Sequence, residues 1–467
     1  MSRIQKFIML AAICLCCGLA VAQNGDCYAV LPGCLDSSFG NGTGKLTTAV
    51  SPYITKAGVK DVGIQNLVTP SGTEQRIVAL GDAYSARTQG KFQINNPIWI
   101  IARYNQAGNL DTSFGSDGTG TVKYTNNASA YRLAIQPDNK ILVAGTAPNS
   151  KGINLFTVAR YGVNGLPDTS FGTGGLAQIP VTASPCGTKN SGSSGAAYAI
   201  ALQSSGKIVV AGQCGSTYLA VVRLNPNGTL DTTFCTAGQF VYGGAAWQTA
   251  LSLALDSAQR IVVAGSVDSS DGSTRTNALL RLTANGSLDT SFGGSGVVVT
   301  KFLAYLGLNY AVVIDGNDRI LTTGTSLSTS SVNSQRMVLA RYNPDGSLDA
   351  SFGSGSGFIV AAPSLDFGYG SAVGLQTDGK ILVGGSERTW DGGPWDKASY
   401  FAAWRFNADG SPDITFGGTG EVVMTSFAAD NLNYPYALAQ QADGKFILGG
   451  LTYVNGAGQF ALARYWQ

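Results

Sequence analysis

Six residues, LDxSFG, return seven times along this chain at nearly even spacing. They stand as LDSSFG from Leu35, LDTSFG from Leu110, PDTSFG from Pro167, LDTTFC from Leu230, LDTSFG from Leu288, LDASFG from Leu348 and PDITFG from Pro412. The intervals are 75, 57, 63, 58, 60 and 64 residues. A period near 60 is one complete supersecondary unit, so a repeat architecture is the first hypothesis.

Each unit has the same internal order. After the aspartate motif comes a short β-like run such as GTVKY from Gly120, then a variable loop. An apolar run ending in a tight turn follows (YAIALQSSGK from Tyr198), and a second run, KIVVAGQ, leaves that turn. A second variable loop leads to a third run, YLAVVRLN, and a turn such as PNGTL returns to the motif. Runs rich in Val, Ile, Ala and Tyr between Gly, Asn, Asp and Pro are strand and turn signals. Four strands per unit and seven units predict an all-β fold, a seven-bladed β-propeller of four-stranded blades. The chain begins with an outer strand, GKLTTAV from Gly44, and ends with a third strand, FALARYWQ. The N-terminal strand is therefore expected to complete the last blade.

The units, of the form ARLNxDGSLDxSFG…ALQPDGKIVVAGS, resemble the delta-60 repeat family of bacterial exported proteins. The likeness covers nearly all of residues 35–467 and every unit contributes to it. It implies a propeller fold and carries no catalytic motif across.

The aspartates of the motif are Asp36, Asp111, Asp168, Asp231, Asp289, Asp349 and Asp413. An arginine stands eight residues before six of them: Arg103, Arg160, Arg223, Arg281, Arg341 and Arg405. Arg464 has no aspartate after it and Asp36 no arginine before it, so in a closed ring these two should meet. Repetition in every unit points to architecture. Aspartate caps turns by accepting N–H bonds two residues on, and a guanidinium can occupy its other lone pairs. The following phenylalanine is expected to pin the turn. A calcium loop is the rival reading, but one aspartate per copy supplies too few oxygen ligands. A second repeated cation, at Arg76, Lys140, Lys207, Arg260, Arg319, Lys380 and Lys445, is read as bracing the turn or facing solvent. An anion-binding basic ring is its alternative.

Composition narrows the chemistry. The chain of 467 residues has 62 glycines, 12% charged residues and no histidine. Missing histidine removes Ser-His-Asp and Cys-His nucleophiles and every His-ligated metal site; no cofactor or metal is expected. Arg3 and Lys6, the apolar run that follows and Ala20-Val21-Ala22 look like an export signal over residues 1–22. Residues 23–34 form an N-terminal segment and 35–467 the propeller. Without Arg3 and Lys6 the basic and acidic residues balance at 28 each, which favours neither nucleic acid nor an anionic membrane as partner. No membrane insertion is expected, and the protein should be a periplasmic or extracellular monomer. Cys27 with Cys34, and Cys186 with Cys214, are expected disulfides; Cys235 replaces a glycine of the motif and is expected as a free, buried thiol.

Function is expected on the variable-loop face or at the channel mouth there. The loop at 386–400 offers Trp390, Asp391, Trp395 and Asp396, which can stack on and hydrogen-bond a sugar or can fold the loop onto the disc. Trp247, Tyr305, Asp366 and Tyr369 are further candidates. Tyr131, Tyr198, Tyr310 and Tyr436 recur at the starts of inner strands, where they rim the channel or, as is favoured here, pack between blades. The reading is a non-catalytic exported scaffold that binds a glycan or a protein. The alternative is a histidine-free hydrolase or lyase using loop-face carboxylates near the central channel.

Overall fold

The computed structural model describes residues 30–467 except 51–53, 71, 90–91, 125–126, 183–193, 216–217, 243–246, 270–273, 332–333, 362–364, 391–397 and 428–431; the side chains of 54–55, 85–96, 247–249 and 422–424 are likewise outside the description. Among the described residues the regular structure is antiparallel strands, grouped as five sheets of four and one of eight. The eight-stranded sheet consists of two four-stranded halves joined by a single parallel pairing, Arg275 to Leu306. This is the β-propeller architecture that the repeats imply. The unit containing Tyr198 shows the pattern: an inner strand Gly195–Leu202, then Ile208–Cys214, Tyr218–Leu224 and an outer strand Gln239–Tyr242. The first unit is larger, with strands Ile54–Thr69, Gly72–Gln89 and Phe92–Tyr104.

Each hydrophobic core lies between neighbouring sheets. One cluster joins Leu142, Phe156 and Val158 to Val210, Ala220 and Val222 of the next unit. The second strands are covered on both faces, so they read as unbroken apolar runs rather than alternating ones; Ile208–Ala211 are all fully buried.

The chain ends meet. Lys45–Thr48 pairs antiparallel with Ala457–Trp466, from Lys45 opposite Ala463 to Thr48 opposite Phe460. Just before it, residues 33–34 supply a turn. Gly33 N–H donates to the Trp466 carbonyl at 2.9 Å and Trp466 N–H to the Cys34 carbonyl at 3.0 Å. Bonds of the same kind close the turn at 343–347 inside a continuous chain. Phe39, Val59, Ile77 and Ile100 share one core with Ile447, Phe460 and Leu462, so the first and last sheets pack together.

Removal of residues 31–50 uncovers that core and unpairs Ala457–Trp466. The melting temperature should fall by more than about 5 °C, the equivalent of a few kcal/mol in a chain this size. A truncated protein that melts with the full one would contradict this account of how the ends meet.

Candidate functional site

The repeated aspartate is built into a clamp. In Asp349, Oδ1 accepts the Ser351 N–H at 2.9 Å and the Ser351 hydroxyl at 2.7 Å, which fixes the turn. Oδ2 accepts the Arg341 Nε–H at 2.7 Å. The Arg341 guanidinium lies on the Phe352 ring, 4.6 Å from its centre, and a further N–H reaches the Ala408 carbonyl in the next unit's turn. The backbone adds a second tie, Gly353 N–H to the Asp409 carbonyl at 2.9 Å. All the copies share the ion pair and the arginine–phenylalanine stack. Across the chain ends, Arg464 Nε–H meets Asp36 at 2.7 Å, its guanidinium lies 4.7 Å from the Phe39 ring centre, and it donates to the Gln106 carbonyl. The second repeated cation completes the clamp at the same oxygen: Lys207 reaches Asp231 at 2.6 Å and Lys445 reaches Asp36 at 3.1 Å. Those cations are therefore neutralised in place.

Burial alone would raise these carboxyls, but the Ser or Thr hydrogen bonds and the adjoining cations outweigh it. Asp36, Asp231, Asp349 and Asp413 are held below the usual carboxylate range. In Asp168 the Ser170 hydroxyl is the leading influence, in the same direction.

A second repeated device faces the channel. Every inner strand carries a bulge at the same place, which skips Lys60, Tyr131, Tyr198, Leu251, Tyr310, Ser371 or Tyr436 in its pairing with the second strand. Opposite the residue before each bulge stands a glycine: Gly81, Gly145, Gly212, Gly265, Gly324, Gly385 and Gly450. A Cβ on Gly212 would lie 2.0 Å from the Ala196 carbonyl oxygen, and one on Gly450 2.1 Å from that of Tyr434. Only glycine tolerates that approach.

All of these bulge residues line one cavity of about 940 Å³. Tyr369, Tyr434, Tyr453, Phe367, Arg132 and Arg388 join them. Phenols and cations dominate the wall, with Phe367, Leu251, Leu432, Ser371 and Gln335 among them; among the described lining residues there is no carboxylate. Nearby acids are engaged elsewhere. Asp61 accepts the Val62 and Leu133 N–H groups at 2.9 and 2.8 Å, and buried Asp82 lies 3.8 Å from the Lys60 ammonium and accepts the Tyr84 hydroxyl. Burial raises both carboxyls. Burial also raises the phenols of Tyr131 and Tyr436, and takes Tyr310 to about 12. At neutral pH these phenols remain protonated and can donate hydrogen bonds.

The inner-strand tyrosines therefore rim the channel rather than packing between blades. The bulge turns their side chains inward, an effect that strict strand alternation does not anticipate. Tyr131 and Tyr198 still touch edge to face at 4.7 Å. Tyr369 lines the cavity and is 7% exposed. Trp390 is 41% exposed, its backbone N–H donates to Asp366 Oδ2 at 2.8 Å, and it is not among the lining residues. Asp391, Trp395 and Asp396 lie outside the described residues, as do Cys27, Cys186 and residues 1–29. Trp247 opens the strand Trp247–Leu255, but its side chain is not described.

Cys235 corrects one expectation: its thiol is free but exposed rather than buried. It sits at the tip of the motif turn with φ of 42°, where Gly172 has φ of 53°, and this left-handed turn lies outside the core. Its N–H still makes the tie to the next unit, to the Asn285 carbonyl at 2.8 Å.

Lys60, Arg132, Arg388, Tyr434 and Tyr453 were not singled out from the sequence. The available signal was the glycine of the VAG run together with the residue five before the Gln or Asp that begins the tight turn. That spacing selects Lys60 before Gln65, Tyr198 before Gln203 and Leu251 before Asp256.

Comparison with known proteins agrees with the repeat. Residues 136–171, 203–234, 260–292, 316–352, 376–416 and 441–467 match the model of a β-propeller domain of unknown function, DUF5122. No curated protein sequence matches. Among solved structures, a polysaccharide lyase of family PL25, an ulvan lyase, is 11% identical with a TM-score of 0.47, covering 90% of this chain and 96% of its own. The propeller domain of the Trilobed protease from Pyrococcus furiosus is 10% identical with a TM-score of 0.43, covering 90% and 96%. Drosophila semaphorin 1b is 10% identical with a TM-score of 0.38, covering 88% and 87%.

Two predictions follow from the clamp. Asp349→Asn keeps the turn cap but leaves a buried guanidinium unbalanced, so denaturant unfolding should show a loss of about 3–5 kcal/mol. Asp345→Asn, in the exposed neighbouring turn, should stay within about 0.5 kcal/mol. The second prediction concerns acid. A carboxyl whose folded pKa is depressed adds stability above its unfolded pKa, and this is lost as pH falls through the folded value. The clamp aspartates all act in that direction. Asp61 and Asp82, being raised, have the opposite sign: their contribution is full below the unfolded pKa and lost as pH rises through the folded one. The clamps outnumber them, so the melting temperature should fall steadily from about pH 5 to pH 2. A flat profile would contradict the clamp account.

Proposed function

We propose that this chain, a β-propeller repeat protein, is a seven-bladed ring closed by its N-terminal strand, and that it binds a glycan in the tyrosine-lined cavity at the variable-loop mouth of its channel. The ring reading is supported by the continuity of the clamps. Each unit's turn binds the next, Gly417 N–H reaches the Pro32 carbonyl at 3.2 Å, and Gly40 N–H reaches that of Ala107 at 2.9 Å. The clamp pairs are architectural in this reading and take no part in binding. The whole forms a propeller over residues 35–467, resembling the delta-60 repeats, behind an N-terminal segment at 23–34.

The observation that carries the binding reading is the bulge in every inner strand. A repeated structural device turns one side chain per unit into the same cavity, while the identities differ: four tyrosines, a lysine, a leucine and a serine. Architecture is uniform across the units, and the ring of side chains is not. Flat phenol faces suit the C–H faces of sugars, and their hydroxyls suit sugar oxygens. The protein acts outside the cytoplasm in this reading, as a monomer without a cofactor. Its leader of Arg3, Lys6 and an apolar run supports export. Bridges Cys27–Cys34 and Cys186–Cys214 fit that compartment; Cys34 and Cys214 are each disulfide-bonded.

Thermal melting of the mature protein against a panel of neutral and acidic polysaccharides tests the reading, since a ligand of the folded state must raise the melting point. At a hundredfold excess over Kd the gain is about 2.7 kcal/mol, a shift of several degrees. Tyr436→Ala should abolish the shift. A shift with no glycan, or one indifferent to Tyr436, would overturn the proposal.

A further inference from the structure

The cations that line the cavity are all engaged by the protein itself. The Lys60 ammonium lies 3.8 Å from the Asp82 carboxylate and 4.8 Å from the centre of the Tyr436 ring. Arg132 donates to the Lys60 carbonyl at 3.1 Å, and its charge acts on Asp61, the next residue of that strand. The Arg388 guanidinium lies against the Tyr369, Tyr434 and Phe367 rings at 4.7, 5.3 and 5.8 Å. Glu387, beside it in sequence, is fully buried and accepts the Leu365 N–H at 2.9 Å. Lys60, Arg132 and Arg388 are thus set among Asp61, Asp82 and Glu387, acids that are not lining residues. Their placement is that of braces, which hold the rings of Tyr436, Tyr369 and Tyr434 in position.

The other side of the wall is different. Tyr198, Leu251 and Tyr310 are the bulge residues of three consecutive units, and none carries a charge. Two phenols there flank an aliphatic side chain, and Tyr131 extends the row, edge to face with Tyr198 at 4.7 Å. Burial raises the phenols of Tyr198 and Tyr310, so both remain protonated at neutral pH.

Resting on the reading that the cavity binds a glycan, we infer that the ligand is an uncharged oligosaccharide whose rings lie on the Tyr198–Leu251–Tyr310 sector, with Tyr436 of the braced side closing the site. A carboxylate or sulfate ester entering the cavity gives up its hydration and meets only cations that are already held, so nothing offsets the loss. An uncharged sugar escapes that cost. Its C–H faces suit the phenol rings and Leu251, and its hydroxyls both donate and accept, as the phenols do. A purely apolar ligand would strip water from those phenols and put nothing in its place.

The experiment is calorimetric titration of the mature protein with two matched pairs: oligogalacturonate with its methyl ester, and sulfated with plain dextran oligosaccharide. Neutral gluco-, manno- and xylo-oligosaccharides extend the uncharged set. Binding should be confined to uncharged probes, or be at least about tenfold tighter for the uncharged member of a pair. It should hold its strength up to about 0.5 M NaCl, where charge attraction is screened. Tyr198→Ala and Tyr310→Ala should each weaken it at least about tenfold. Tyr198→Phe and Tyr310→Phe keep the packing and should lose less, and they carry the test where an alanine variant fails to fold. Tyr305→Ala, outside the cavity lining, should change nothing. If an acidic probe binds as tightly as its uncharged partner, or salt abolishes binding, the uncharged assignment is overturned while the glycan reading stands. Uncharged probes that bind with no dependence on Tyr198 or Tyr310 overturn the assigned sector. If no glycan of either kind binds, the glycan reading falls and this inference with it.

Discussion

The Asp–Arg–Phe clamp is the interaction on which the rest depends. It is a charged cluster in a nearly dry place: Arg464 is 2% exposed and Asp36 2%. A buried ion pair survives only if its remaining donors and acceptors are satisfied. Here one carboxylate oxygen caps a turn, the other takes two cations, and the guanidinium spends its remaining capacity on a phenyl face and a carbonyl of the next unit. The same residues that close one unit's turn therefore tie it to its neighbour. Repeat proteins gain stability from such nearest-neighbour terms, and in this chain the term has a definite chemical form.

With spacing set by the clamps at the tight-turn ends of the strands, the inner strands can carry distortion. The bulge needs the second-strand glycine, because the carbonyl two residues before the bulged position, Ala196 for Tyr198 and Tyr434 for Tyr436, occupies the space that a Cβ would need. The fold gives up side-chain packing at Gly81, Gly145 and their counterparts and gains an inward-facing residue in each unit. That exchange separates two kinds of conservatism within one sequence. The clamp positions are the same in every copy, whereas the residue at the bulge runs from lysine to leucine to tyrosine. Chemistry enters where the repeat allows difference.

Much of the fold was legible in the sequence because the repeat displays it many times. Strand order, the tight turns and the pairing of Arg464 with Asp36 follow from the recurring motif and its broken ends. The cavity was harder to see. Four tyrosines in seven positions stand out, but Lys60, Leu251 and Ser371 share no chemistry with them, so the column was visible only in part. Both faces of each blade are covered by its neighbours, which suggested that the tyrosines pack between blades; the bulge instead turns them into the channel. Arg388 and Tyr453 come from the far ends of second strands, where no motif marks them. Cys235 was expected to be buried where it replaces the motif glycine, whereas the left-handed turn carries it outward.

The most direct test of the central claim, that the repeated bulge assembles a single binding site, is hydrogen exchange on the mature protein with and without an uncharged oligosaccharide. The account predicts new protection on inner-strand peptides spanning Lys60, Tyr131, Tyr310, Tyr369 and Tyr436, with the tight turns of the opposite face, such as 136–140 and 203–207, unchanged. Protection confined to those opposite turns, or to the outer strands, would contradict it.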